Sequence, residues 1–218
     1  MNGGQDLGGK HGLGPINPEA NEPVFHAEWE RRAFALTLAM GGTGEWNIDA
    51  GRHARENRNP ADYINASYYH VWLYGLEVLL RERELLLEDE LETGIAQKTR
   101  PVKNFMRADQ VVEVLNAGGS YERELSEPAQ FSIGDKIIAK NLNPKTHTRL
   151  PGYVRGKTGV ITAINGAFVF PDSNARTLGE NPQYCYSVRF EAEELWGADT
   201  QSNSCVYLDM WESYLEPA

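Results

Sequence analysis

Cysteine is nearly missing from this chain. Cys185 and Cys205 are the only two in 218 residues, and they do not form a Cys-x-x-Cys pair. A disulfide scaffold is therefore not expected, and the two read as small core residues in a reducing compartment. Long apolar runs are missing too: no stretch of about 18 apolar residues occurs, so no segment is expected to span a membrane. The opening Met1-Asn2-Gly3-Gly4-Gln5-Asp6 lacks the basic-then-apolar pattern of a secretory signal, and a cytoplasmic protein is expected. The five histidines include no His-Glu-x-x-His, and no Gly-x-Ser-x-Gly elbow is present. Gly156-Lys157-Thr158 resembles the end of a phosphate loop, but the first glycine of that motif would fall at Pro151. No acidic pair stands out as a general acid and base. A self-contained catalytic site is not legible, and no metal ligand is assigned in this chain.

One further absence is local. Between Lys136 and Pro171 there is no Asp or Glu, while Lys136, Lys140, Lys145, Arg149, Arg155 and Lys157 all fall there. That window carries +6 in a chain of net charge -10, which leaves -16 for the rest. A basic island in an acidic protein suggests arginines with a partner to find; the competing reading is a solvated loop leading into a strand. With a pI near 5.0, phosphate-backbone binding would have to rest on this one window, so a nucleic-acid partner is not expected.

What is present suffices for a core. Hydrophobic residues make up 41% and aromatics 10% of the chain, enough for one large domain or two small ones. Residues 1–25 are rich in Gly, Pro and Asn and read as an extended arm, with Leu7, Leu13 and Ile16 as spaced apolar anchors. Residues 26–125 read as helical. Trp29, Ala33, Leu36 and Met40 fall on one side of a first helix, and Trp46 to Glu56 forms a second carrying Arg52, His53 and Arg55. Asn59-Pro60-Ala61-Asp62 is a helix start, with Asn as cap and Pro in the first turn. Ser67 then caps a long helix to about Leu91, whose first turns hold Tyr68, Tyr69, His70 and Trp72. Such an aromatic cluster serves a core or the wall of a pocket. Arg107 to Ala117 is a last helix, with Val111, Val112 and Leu115 expected to face inward.

After Pro128 the texture changes to short β-rich runs: 133–139, 159–164, 168–170, 184–190 and 204–208. Asn165-Gly166 and Pro171-Asp172 read as turns between them. Residues 126–218 are therefore expected to form a small barrel, making the fold class α+β.

Five segments carry a resemblance. They are Met1 to Ile16; Glu22-Pro23-Val24-Phe25-His26-Ala27-Glu28-Trp29-Glu30; Asn59-Pro60 with Tyr68-Tyr69; His147-Thr148-Arg149 through Tyr153-Val154-Arg155-Gly156-Lys157-Thr158-Gly159; and Glu194-Leu195-Trp196-Gly197 with Asp209-Met210-Trp211-Glu212. In this order they resemble the β subunit of nitrile hydratase, from end to end. The resemblance implies a helical N-terminal part followed by an SH3-like β-barrel. It implies an α/β heterodimer, often paired into an α2β2 heterotetramer, that hydrates small nitriles to amides.

The resemblance also places the cofactor. Non-haem iron or non-corrin cobalt is held by the α subunit through Cys-x-x-Cys-Ser-Cys, a motif this sequence lacks, and two of those cysteines are oxidised. By motif, Arg52 and Arg149 correspond to the β arginines that hydrogen-bond the oxidised sulfurs. A guanidinium suits that task because its charge is fixed and its donors form a planar fork. Ile48, Tyr68, Tyr69 and Trp72 would line the substrate pocket. His70, His147 and Arg155 would support it, His147 through Arg149. Other readings are a thiocyanate hydrolase-type subunit, an activator chaperone that borrows the helical region, and an SH3-like RNA-binding module. Salt-sensitive RNA binding by the isolated chain would favour the last of these.

Overall fold

The computed structural model describes residues 2–97, 100–200 and 203–218. Two compact units are present: one holds Asn2, Asp6–His11 and Ser120–Ala218, the other Gly3–Gln5 and Gly12–Gly119.

In the helical unit, α1 (Glu28–Gly41) begins where the Glu30 carboxylate accepts the N–H groups of His26 and Ala27 at 2.6 and 3.3 Å. These are donors that a helix start otherwise leaves unpaired. α2 (Ile48–Glu56) is capped by the Asn47 side chain, which accepts from the Ala50 N–H at 2.9 Å. α3 (Pro60–Asn65) is capped by Asn59 at the same distance from the Ala61 N–H, as the sequence predicts. α4 (Tyr68–Glu82) packs against α1 and α2. Small residues make that packing close. Ala33, Ala50 and Ala54 are buried with Leu76 and Leu79, and a Cβ added at Gly75 would stand 2.5 Å from Arg55 Cγ.

The single long helix expected to reach Leu91 is two helices. α4 stops at Glu82, Glu84 adopts φ +56°, and Leu85 N–H bonds back to Leu80 O at 2.8 Å before α5 (Glu88–Thr93) starts. Nor does Ser67 cap the backbone; its hydroxyl pairs with His70 Nδ1 at 2.7 Å. In α6 (Val111–Ala117), Val112 is 70% and Leu115 49% exposed, so the expected inward face is turned outward.

The sheet unit corrects the expected barrel. β1 (Glu122–Arg123), β2 (Lys136–Ala139), β3 (Thr158–Phe168), β4 (Gln183–Glu191), β5 (Cys205–Trp211) and β6 (Leu215–Pro217) form one antiparallel sheet in the order β5-β4-β3-β2-β6, with β1 beside β3. Among the described residues no pairing joins β5 to β6, so the sheet is open and not closed into a barrel. The physical reason lies at its end. β6 has three residues, finishes at Pro217 without an N–H to donate, and spends its pairing on β2. β3 also runs through the expected Asn165-Gly166 turn, absorbing it in a register shift between Ile164 and Ala167. Pro171–Asn174 is a short helix, α7, and Ala192–Trp196 another, α8. Alternate residues Tyr186, Val188 and Phe190 of β4 meet Ile137, Ile161, Met210 and Leu215 in the core, and each of these seven is at most 2% exposed.

Candidate functional site

The candidate residues fall into two groups, one on each unit. On the helical unit, Ile48 and Arg52 lie on α2, and Tyr68, Tyr69, His70 and Trp72 on α4. Arg52 is half-buried and its Nη1 donates to Asp49 Oδ1 at 3.2 Å. Asp49 is 3% exposed and sits in the first turn of α2, where the helix dipole favours its charge. One nitrogen of the guanidinium is thus committed, and its position on the helix is fixed. One turn on, the Arg55 guanidinium stacks 4.1 Å above the Trp72 ring, and burial lowers its pKa.

The aromatic residues form a connected set. Tyr68 lies 5.2 Å from Tyr69 and 5.6 Å from Trp72, ring to ring. Phe34 packs on Trp72 at 5.8 Å, and Phe25 on Tyr69 at 5.4 Å. Phe25 was not among the residues singled out by sequence; contacts with Phe34, at 5.8 Å, and with Tyr69, 44 positions away, give it a part in the cluster. Desolvation raises the Tyr69 phenol above its ordinary pKa, whereas Tyr68 stands 66% exposed at the mouth of the group. A cavity of about 520 Å³ opens between the Glu22–His26 stretch, Glu30 and the Ser67–Tyr69 start of α4. Tyr68 and Tyr69 line it; Ile48 and Trp72 do not. His70 stacks on Trp29 at 4.4 Å while its Nδ1 meets Ser67.

Glu19, Glu22 and His26 bring three donor atoms within 4.8 Å at the rim of this region. All three are exposed, and His26 Nε2 is 2.8 Å from Glu19, an ion pair that raises the imidazole pKa and accounts for the grouping. Both cysteines are free: Cys185 is buried, which pushes its thiol up to about 12, and Cys205 is exposed at the start of β5.

On the sheet unit, Arg149 sits in the loop between β2 and β3. Its side chain is exposed, and its backbone is not free. The Arg149 N–H donates to Tyr214 Oη at 3.1 Å, and Thr148 Oγ1 reaches the same phenol at 3.2 Å. The Tyr214 hydroxyl in turn donates to Asp172 at the start of α7. Burial raises the Asp172 carboxyl pKa, opposed by the bonds from Tyr214 and Thr148 and by the charge of His147. The same burial, with Asp172 beside it, pushes the Tyr214 phenol far up. His147 itself is fully buried. On the far side of Arg149, Arg155 Nη2 donates to Leu150 O at 2.9 Å, so Arg155 is a buried loop-holding residue. Tyr214 and Asp172 were not legible as site residues; a lone Tyr and a Pro-Asp turn carry no sequence signal for such a network.

Taken together, the two groups define an arginine-presenting, aromatic-walled chain of helices followed by an open antiparallel sheet. Two family descriptions divide it: "Nitrile hydratase beta subunit, N-terminal" matches residues 1–114, and "Nitrile hydratase beta subunit, C-terminal" matches residues 120–217. The chain belongs to the nitrile hydratase beta-subunit family. It is 39% identical over 226 residues to the low-molecular weight cobalt-containing nitrile hydratase subunit beta of Rhodococcus rhodochrous, covering 100% of both chains. It is 39% identical over 224 residues to the cobalt-containing nitrile hydratase subunit beta of Pseudonocardia thermophila, covering 99% of this chain and 96% of that one. A shorter match, 32% over 94 residues, links 41% of the chain to 73% of thiocyanate hydrolase subunit alpha of Thiobacillus thioparus. Among the described residues no helix is long and apolar enough to cross a membrane.

Proposed function

We propose that this chain is the β subunit of a nitrile hydratase, completing a pocket in which small nitriles are hydrated to amides. The observation that carries the reading is the family match along both halves of the chain. The partner is an α subunit bearing Cys-x-x-Cys-Ser-Cys, in an α/β heterodimer that pairs into α2β2, in the cytoplasm. The metal, cobalt or iron, belongs to that partner; bound there, it supplies Lewis acidity toward the nitrile. Two of the relatives are named as cobalt-containing, which supports cobalt first.

This chain's own residues position and stabilise. Arg52 and Arg149 grip the oxygens of the partner's oxidised cysteines, holding them against further oxidation and fixing the metal's surroundings. Two observations support that use: among the described residues Arg52 is held through Nη1 by Asp49, and Arg149 is exposed on a loop pinned at the backbone. Lysine would keep the charge and lose the fork. Tyr68, Tyr69 and Trp72 wall the pocket with Ile48 nearby and hold the nitrile in place, and the Tyr68 hydroxyl donates a hydrogen bond near the metal. His70, His147 and Arg155 support this set.

Affinity purification of the tagged chain from its native host tests the reading. A stoichiometric partner with the cysteine motif, one cobalt or iron per pair, and amide formed from a nitrile are expected. Amide-free preparations that hydrolyse thiocyanate would favour the second reading, which the match to the thiocyanate hydrolase subunit supports over part of the chain. A chain that purifies alone, or with RNA, would sink both.

A further inference from the structure

The N-terminal arm and the Arg149 loop are bonded to each other across most of the sequence. Both oxygens of the Asp6 carboxylate accept the Gly152 N–H, at 2.9 and 3.2 Å. Asp6 Oδ2 also lies 4.0 Å from Arg155, whose side chain is 5% exposed. Arg155 Nη1 donates to Asn2 Oδ1 and, at 2.9 Å, to Asn143 Oδ1. Asn2 Nδ2 closes the ring by donating to Asn143 Oδ1 at 2.8 Å. From the same guanidinium, Nη2 reaches Leu150 O, the carbonyl next to Arg149.

The arm is also fitted by shape. Tyr153 and Trp196 stack with ring centroids 5.4 Å apart. A Cβ on Gly8 would come within 2.4 Å of the Tyr153 ring, and one on Gly9 within 2.3 Å of the Trp196 ring. Gly152 meets the same limit from the loop side, where a Cβ would stand 2.7 Å from Asp6 Oδ2. Three glycines therefore let arm and loop close on each other.

From this geometry we infer that Asn2 and Asp6 are positioning residues for Arg149. Arg155 is nearly buried, and a buried guanidinium without its counter-charge is costly to keep in place. Among the described residues Asp6 is the carboxylate within ion-pair reach of it. Arg155 passes that constraint to Leu150 O, while Tyr214 holds the Arg149 N–H from the other side. The loop is fixed before and after Arg149, leaving only the side chain to reach a partner. The inference rests on the reading of Arg149 given above, and small displacements of such a group cost large factors in rate.

The test pairs two readouts on Asp6→Ala. Hydrogen exchange on the full chain is read at the Leu150–Arg155 amides, with the Tyr186–Phe190 amides of β4 as an internal control. Exchange about tenfold faster in the loop, with β4 unchanged, is expected. In the α/β complex, kcat is expected to fall about tenfold with KM within about twofold. A purely architectural arm would leave kcat unmoved once the complex has formed. Gly8→Ala forces the arm off Tyr153 without touching a hydrogen bond, and should reproduce both effects if Asp6→Ala fails to fold. Wild-type loop exchange in the folded variant overturns the inference. A loosened loop with unchanged kcat, while Arg149→Lys is inactive, overturns the link to Arg149 and leaves the functional reading standing. Full activity of Arg149→Lys overturns that reading, and the catalytic part of this inference with it.

Discussion

The two units bury their apolar residues to different degrees. In the sheet unit Tyr186, Phe190, Ile137, Ile161, Val188 and Met210 are at most 1% exposed and meet in one core. Among the described residues of the helical unit the buried apolar side chains are Leu76, Leu79, Ala33, Ala50 and Ala54. Phe34, Tyr69 and Trp72 are half-buried there, while Phe105 is 75%, Ile95 68% and Val112 70% exposed. A unit with a filled core holds its shape by itself. One that closes around alanines and leaves several large side chains exposed is suited to finish its packing against another surface. In the proposed subunit role the filled sheet unit carries Arg149, and the helical unit carries Arg52 and the aromatic cluster.

That contrast can be broken by substitution. Phe190→Ala, which empties the sheet core, should cost about 3–5 kcal/mol in denaturant unfolding of the full chain; a loss below about 1 kcal/mol would mean that the core is not as filled as its burial indicates. Next in size, Arg149→Lys and Arg52→Lys should each lower nitrile hydration by about a hundredfold or more in the assembled complex, with the complex still eluting as one species. Equal activity in either would remove that arginine from the site. At the small end, Leu115→Ala on α6 should change stability by no more than about 0.5 kcal/mol in the isolated chain. A larger loss there would show that α6 packs inward after all.

Acid should separate the units as well. Hydrogen bonds from Arg100 hold the Glu45 carboxyl down at about 2, from an ordinary value of 4.5, with the Lys103 N–H helping. A depressed carboxylate stabilises the fold above its unfolded-state pKa, and that contribution fades as pH falls from about 4.5 toward about 2. Far-UV circular dichroism should therefore report helix loss in this window. Glu45→Gln should be less stable at neutral pH and flatter across the window; an unchanged acid profile would remove Glu45 from the account.

How much of this was legible depends on how local the cause is. Asn59 and Pro60 act on the next turn of chain, and the helix they start is where the sequence puts it. The alternation in β4 likewise reads directly, because period-two burial is a property of the strand itself. The break after Glu82 was hidden, since a glutamate at φ +56° carries none of the signal that a glycine would. Asn165-Gly166 carried the opposite error: a strong turn signal was overridden by pairing of β3 with β4 on both sides of it. Barrel closure was a statement about two edges meeting, which no short segment encodes. Arg149 and Arg52 were picked out as candidates through the family motifs alone. Tyr214, Asp172 and the Asp6–Gly152 contact were missed, because each matters only through residues far away in sequence.

The Asp6–Gly152 contact also sets an order of events during synthesis. Its partners are 146 positions apart, so the first leaves the ribosome long before the second exists. At about 5–20 residues per second the arm waits on the order of 10–30 seconds for its loop. A contact of this span is thus among the last that synthesis allows to form.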